Sequence, residues 1–246
     1  GNTALGSNSL YANTTGASNS ALGHNALRCN TTASNNVATG KAALQNNTTG
    51  GNNTASGTYS LYKNTTAIDN ASFGSAALQN NTTGSYNSAF GRKSLNSNTT
   101  SHYNTAHGYS SLQNNTTGSN NTASGIYSLC GNTTGFRNTA FGGNALNHNT
   151  TGCYNTALGN RVLCNNTTGN LNSSLGYQSL QQNITGCYNT ASGSYTLKSN
   201  TATGNTALGY AAAISNTIGT GIVAVGCRAL NTNTTGINNV AVGNAA

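Results

Sequence analysis

The chain has 246 residues, of which 4% are charged: nine Lys and Arg against a single acid, Asp69, for a formal net charge of +8. With one carboxylate in the whole chain, carboxylate-pair hydrolysis is excluded, and so are calcium sites built from recurring Asp. Pro, Met and Trp are absent, and small polar residues dominate, a composition that fits either a disordered chain or a repeat protein with narrow layers.

Periodicity decides between these. In chain order, the pentad Asn-Thr-Ala-Leu-Gly at Asn2 to Gly6 returns as NSALG from Asn19, NVATG from Asn36, NTASG from Asn53 and NASFG from Asn70. Further units start at Asn87, Asn104, Asn121, Asn138, Asn155, Asn172 and Asn189, always 17 residues apart. One residue is missing before Asn205, after which the register runs through Ile222 to Asn239. The averaged unit reads N-T-A-L-G-x-x-A-L-x-x-N-T-T-G-x-x. Numbering positions from the first Asn, 1–246 is one array.

Each unit is too rich in Gly and Asn for a helical hairpin, and helical periodicity is absent. Three short extended segments separated by turns are predicted, wound as an all-β parallel β-solenoid of about 14 coils with 17 residues per coil. Stacking at a strand spacing of roughly 4.8 Å gives an expected rod on the order of 70 Å long.

The columns suggest what holds such coils. Position 9 supplies a core spine: Leu10, Leu27, Leu44, Leu61, Leu78, Leu95, Leu112, Leu129, Leu146, Leu163, Leu180, Leu197 and Leu230, with Ala213 as the exception. Each is expected to stabilise by about 1.5–3 kcal/mol on burial. Position 12 is Asn throughout, predicting an amide ladder through Asn13, Asn30, Asn47, Asn64, Asn81, Asn98, Asn115, Asn132, Asn149, Asn166, Asn183, Asn200, Asn216 and Asn233. The Asn of position 1 is expected to form a second ladder. Ala at positions 3 and 8 keeps the core thin, and Gly at positions 5 and 15 is expected to supply positive φ at corners.

Position 4 carries Leu5, Leu22, Phe73, Phe90, Phe141, Leu158, Leu175, Leu208, Val225 and Val242, interrupted by Thr39, Ser56, His107, Ser124 and Ser192. If Ala of position 3 points inward, this column is an exposed stripe and a candidate packing surface. If the alternation is reversed, it fills a roomy corner. Pattern alone leaves both readings open.

No catalytic, metal or cofactor site is expected, and the chain reads as a non-enzyme. His24, His102, His107 and His148 fall at four different unit positions, so they build no metal column. Cys130 and Cys164 share a column, as do Cys153 and Cys187, but each pair is two coils apart, roughly 9–10 Å by strand spacing and beyond disulfide reach. Free thiols or bonds between chains are expected of the six Cys. The basic residues are scattered along the sequence, with only Arg92 and Lys93 adjacent, so no basic stripe and no nucleic-acid partner is expected. No apolar run approaches a membrane span, and no membrane insertion or signal peptide is expected. The chain starts one residue before a unit and stops inside another, which reads as a window from a longer protein.

The pentads NTALG, NSALG, NNVAVG and IVAVG resemble the repeats of trimeric autotransporter adhesin heads, and the Asn-Thr-rich units resemble tail-fibre-like repeats. The resemblance implies a left-handed parallel β-roll, a homotrimer and an adhesin or fibre shaft on a cell or virion surface. The longer unit and the regular NTTG segment depart from the adhesin pattern. The expected function is therefore a structural, surface-exposed fibre or adhesin shaft that packs as a homo-oligomer or filament. Its Tyr residues, all at turn positions, are candidates for contacts to a host surface or glycan. Two alternatives stand beside it. Thr at position 13, from Thr14 to Thr234, suits an ice-binding ladder. Asn-Thr-Thr at position 12 is formally a glycosylation sequon, which suits a sugar-bearing coat filament.

Overall fold

The computed structural model describes residues 1–246 and is all-β, a parallel solenoid of about 14 coils at 17 residues per coil. Its contacts divide it into two compact units, Gly1–Asn121 and Thr122–Ala246. The first holds β1 (Thr3–Leu5), β2 (Ser20–Leu22), β3 (Val37–Thr39), β4 (Thr54–Ser56), β5 (Ala71–Phe73), β6 (Ser88–Phe90) and β7 (Thr105–His107). The second holds β8 (Thr122–Ser124), β9 (Thr139–Phe141), β10 (Thr156–Leu158), β11 (Ser173–Leu175), β12 (Thr190–Ser192), β13 (Thr206–Leu208), β14 (Val223–Val225) and β15 (Val240–Val242). Within each unit every strand pairs in parallel with its sequence neighbours, and equivalent unit positions lie in register.

Only one of the three expected extended segments is a strand. Positions 2 to 4 pair as β-structure; the other two sides of the coil are turns. The reason lies in the sign of φ. Position 7, position 9 and position 17 hold φ near +50 to +60 in coil after coil, as at Tyr59 (58), Leu61 (48) and Asp69 (56). Position 5 lies between 120 and 138 and is Gly throughout. Alternating hands across positions 5 to 9 turns successive peptide groups along the coil axis. The N–H of Ala76 therefore reaches the Thr58 carbonyl of the preceding coil at 2.9 Å, while that of Leu78 reaches Ser94 of the next at 3.0 Å. Inter-coil hydrogen bonding continues without an extended chain.

Left-handed φ costs an L-residue roughly 1–2 kcal/mol, and here the spine Leu accepts that cost. In return its side chain is inside: the eleven Leu from Leu27 to Leu197 have no exposed surface, while Leu10 and Leu230 are half-buried. At position 5 a Cβ would fail for a second reason besides φ. On Gly57 it would lie 2.6 Å from the carbonyl of Gly74. The expectation for position 15 is corrected. Its glycines have ordinary φ, and Ala33, Ala67 and Ser101 occupy the same column.

Two Asn columns close each coil. Asn47 donates from Nδ2 to Asn30 Oδ1 at 2.9 Å and to the Gly50 carbonyl at 2.8 Å. Asn36, at position 1 of the same coil, donates from Nδ2 to that same Gly50 carbonyl at 3.0 Å. The position-15 carbonyl thus collects one amide from each column and ties the coil's ends together. The position-12 column is the expected amide-to-amide ladder. The position-1 column works differently: Asn36 Oδ1 accepts the backbone N–H of Asn53 at 2.9 Å, so its rungs run chiefly side chain to main chain.

Departures from the consensus are repaired or leave a visible gap. Each Ser that replaces Ala at position 3 meets a Ser of position 8: Ser60 Oγ of the preceding coil donates to Ser72 Oγ at 2.7 Å, and Ser174 Oγ donates to Ser179 Oγ of its own coil at 2.8 Å. In the 16-residue coil the missing residue is position 14, because the amides of Asn189 and Asn200 still meet on the Ala202 carbonyl, at 2.8 and 2.9 Å. The shortened turn breaks one rung, and Asn183 Oδ1 is left buried with no partner. At Ile222 the position-1 column loses its amide outright; Ile222 N–H still bonds Asn205 Oδ1 at 3.0 Å.

Two stability outcomes follow, both read by urea unfolding under circular dichroism. Asn47→Ala orphans buried partners on both sides and costs about 2–4 kcal/mol. Inserting a Thr between Thr201 and Ala202 restores the 17-residue coil, gives Asn183 Oδ1 a donor and adds about 1–3 kcal/mol.

Candidate functional site

No pocket opens on the surface, so the groups available for contact lie on the open faces of the coil. There are three, set by the strand, by the corner at positions 16 and 17, and by the segment from position 6 to position 11.

On the strand the middle residue is buried and its neighbours point out, as in β2 and β3. That resolves the two readings of position 4 in favour of the outward one. Leu5, Leu22, Phe73, Phe141, Leu175, Leu208 and Val242 are exposed, whereas Phe90, Leu158 and Val225 are half-buried. Phe90 is partly covered because its ring stacks on Phe73 at 4.8 Å and meets His107 edge-on at 5.4 Å. Position 2 shares this face, and neither column contains a single Lys, Arg, Asp or Glu.

At the position-16 corner, side-chain acceptors cap the backbone N–H of the preceding coil. Ser85 Oγ accepts from Ile68 N–H at 3.1 Å, and His102 Nδ1 accepts from Ser85 N–H at 2.9 Å. His102 is thereby held as the Nε2–H tautomer. Next to it, at position 17, the rings of Tyr86 and Tyr103 stack at 5.0 Å. Cys153 and Cys187 also belong to this file, with Asn170 between them: Cys153 N–H donates to Asn170 Oδ1 at 2.7 Å, and Asn170 N–H donates to Cys187 Sγ at 3.2 Å.

The third face overturns the expectation that the cations form no stripe. Arg28, Lys41, Lys63, Arg92 and Lys93 in the first unit, with Arg161, Lys198 and Arg228 in the second, all occupy positions 6, 7, 10 or 11. Only Arg137, at position 17, stands elsewhere. Eight of the twelve Tyr sit at positions 6, 7 and 10 as well. These positions form one surface. Tyr59 and Tyr62, at positions 7 and 10 of one coil, meet edge to face at 5.4 Å. Lys41 lies over the Tyr59 ring at 5.8 Å, and Arg92 over the Tyr109 ring at 5.7 Å. The cations look scattered along the chain because, Arg92 and Lys93 apart, they are neither adjacent nor stacked in one column of successive coils, yet winding carries positions 6, 7 and 10 to one side, with position 11 next in the chain.

The Thr of position 13 have a structural task. Thr48 Oγ1, for example, donates to the Thr65 carbonyl of the next coil at 3.0 Å. The Asn of position 12, most of them in sequons, are buried from Asn30 to Asn216, with Nδ2 committed to hydrogen bonds inside the coil as at Asn47, while Asn13 and Asn233 are half-buried. All six Cys are free thiols. Burial pushes the thiols of Cys130 and Cys164 above the ordinary range, and the charge of Arg161 partly offsets this at Cys164.

The chain matches no protein-family model, no curated protein sequence and no solved structure.

A thiol-reactivity outcome follows from these environments. With Ellman's reagent at mildly alkaline pH, the exposed Cys227 reacts first. Cys130 lags because little of it is thiolate. Raising the pH through and above 9 narrows the gap as the Cys130 thiol ionises.

Proposed function

We propose that this chain is a structural, surface-exposed fibre or adhesin-shaft segment whose coils pack laterally, strand face against strand face, with further copies of itself. The observation that carries the reading is the largely apolar column of position 4, exposed on a strand face that has no Lys, Arg, Asp or Glu. Extended exposed apolar surface of this kind marks a packing surface, and Leu5, Phe73, Phe141, Leu175, Leu208 and Val242 are all exposed on it.

Charge favours a second copy as the occupant. A chain of net charge +8 repels its like, and the strand face is where two copies meet without opposing cations. The shallow side chains of position 2, mostly Thr, Ser and Val, let sheets approach closely. The resemblance of the pentads to adhesin-head and tail-fibre repeats supports the same reading, with a homotrimer as its finer form. An extracellular location, on a cell or virion surface, belongs to this proposal.

The test is the state of association of the full chain, by sedimentation and electron microscopy. A trimer or filament is expected, and Phe73→Lys/Phe141→Lys, which places charge on an exposed face without touching the core, shifts it to monomer. A wild-type chain that stays a compact monomer at high concentration overturns the proposal.

A further inference from the structure

The segment from position 6 to position 11 stands on the other side of the Gly corner from the strand face and has no part in lateral packing. In the first unit it carries five cations within five successive coils: Arg28, Lys41, Lys63, and the pair Arg92 and Lys93. All are exposed except Lys93, which is half-buried. No carboxylate answers them. The one acid, Asp69, is at position 17, with the strand and the Gly corner between it and these residues.

We infer that this face binds a linear acidic polysaccharide, with sulfate or uronate groups paired with its cations. Three observations point to that class. First, the cations lie in four of five successive coils but in no single column, at positions 10, 6 and 11 and then 6 with 7, so they are unevenly spaced over steps of the coil rise of roughly 4.8 Å, which suits the variably placed acidic groups of a polysaccharide better than the even spacing of approximately 3.4 Å between phosphates of one duplex strand. Second, two of the cations are already organised. Lys41 lies over the Tyr59 ring, and Arg92 lies over Tyr109 with Nη1 donating to the Tyr109 hydroxyl at 3.3 Å. Such cation–ring contacts fix long side chains before a ligand arrives.

Third, the rings are poor platforms for nucleic-acid bases. Single-stranded nucleic acid is held by bases stacking in succession on open aromatic faces. Here Lys41 and Arg92 occupy ring faces, and Tyr59 and Tyr62 meet at 85° rather than in parallel. What is left exposed is charge and phenol hydroxyl, which suits sugar hydroxyls and acidic substituents. The binding itself is independent of the packing proposal; only its biological meaning, attachment to an acidic glycan coat, rests on the surface-fibre reading.

The test is affinity for heparin and for polygalacturonate, with an oligothymidylate and neutral dextran alongside, over a salt series. The full chain is expected to bind both acidic polysaccharides with an affinity that falls as salt rises, and not to bind dextran. Replacing Arg28, Lys41, Lys63, Arg92 and Lys93 by Gln is expected to weaken heparin binding at least about ten-fold, while Arg137→Gln, off the stripe, changes it less than about two-fold. In the unaltered chain, heparin is expected to shield Lys41, Lys63 and Lys93 from acetylation, a readout that needs no variant to fold. Failure to bind heparin at low salt, undiminished binding by the five-fold variant, or unshielded lysines overturns the inference. Tighter binding to oligothymidylate than to heparin overturns the assignment to polysaccharide. Phe73→Lys/Phe141→Lys keeps heparin binding even when it abolishes association, so the two proposals fail separately.

Discussion

Each coil is closed by a shared carbonyl. The backbone oxygen at position 15 receives one amide hydrogen from the Asn of position 12 and one from the Asn of position 1, as Gly50 does from Asn47 and Asn36. A coil of 17 residues encloses too little space for an ordinary apolar core, and only Leu at position 9 is large. The interior is therefore half amide, and buried amides are tolerable only when their donors and acceptors are met. That single requirement makes position 12 invariant, keeps position 1 Asn in nearly every coil and holds the register at 17. Its force shows where it fails: losing one residue of the turn leaves Asn183 Oδ1 unpartnered, while the two amides still find Ala202.

The second constraint is on the main chain. A closed coil with one three-residue strand has to keep its peptide groups parallel to the axis around tight bends. Alternating φ does this at positions 5, 7 and 9, with the strain carried by Gly at the first and by Leu at the last. A left-handed Leu is an unusual economy, since the same residue turns the chain and fills the core. The bends leave the side chains of positions 6, 7 and 10 on one outer surface. The strand, by contrast, presents positions 2 and 4 on another. Segregation of the cations from the apolar columns is thus a consequence of the winding, and it gives the coil two chemically different sides for the two proposed contacts.

The repeat, the parallel solenoid, the Leu spine and the position-12 ladder were all legible in the sequence, because in-register stacking places identical residues over one another and a fixed column announces a fixed environment. The sequence had no means to announce left-handed φ at Leu61 or Tyr59, since neither residue type favours it; backbone closure imposes it. Nor could it distinguish a Gly kept for φ, such as Gly57, from one at position 15, where φ is ordinary and close approach of the next coil limits the side chain, as at Gly50, whose Cβ would meet the Ala67 carbonyl. Ser72 is an exception at position 3, but Ser is about as common as Ala at position 8, so its pairing with Ser60 showed only in the 2.7 Å contact.

Composition and period by themselves determined that this protein is a stacked array of 17-residue coils with almost no carboxylate chemistry, because periodic columns and missing residue types are properties of the chain alone. Tertiary structure decided which way each column faces. Position 4 proved to be outside, the position-1 amides turned to the main chain, and eight cations that look dispersed along 246 residues came to one side of the coil. Facing depends on the path of the backbone through three unlike bends, and that path is fixed by hydrogen bonds between coils rather than by any local pattern.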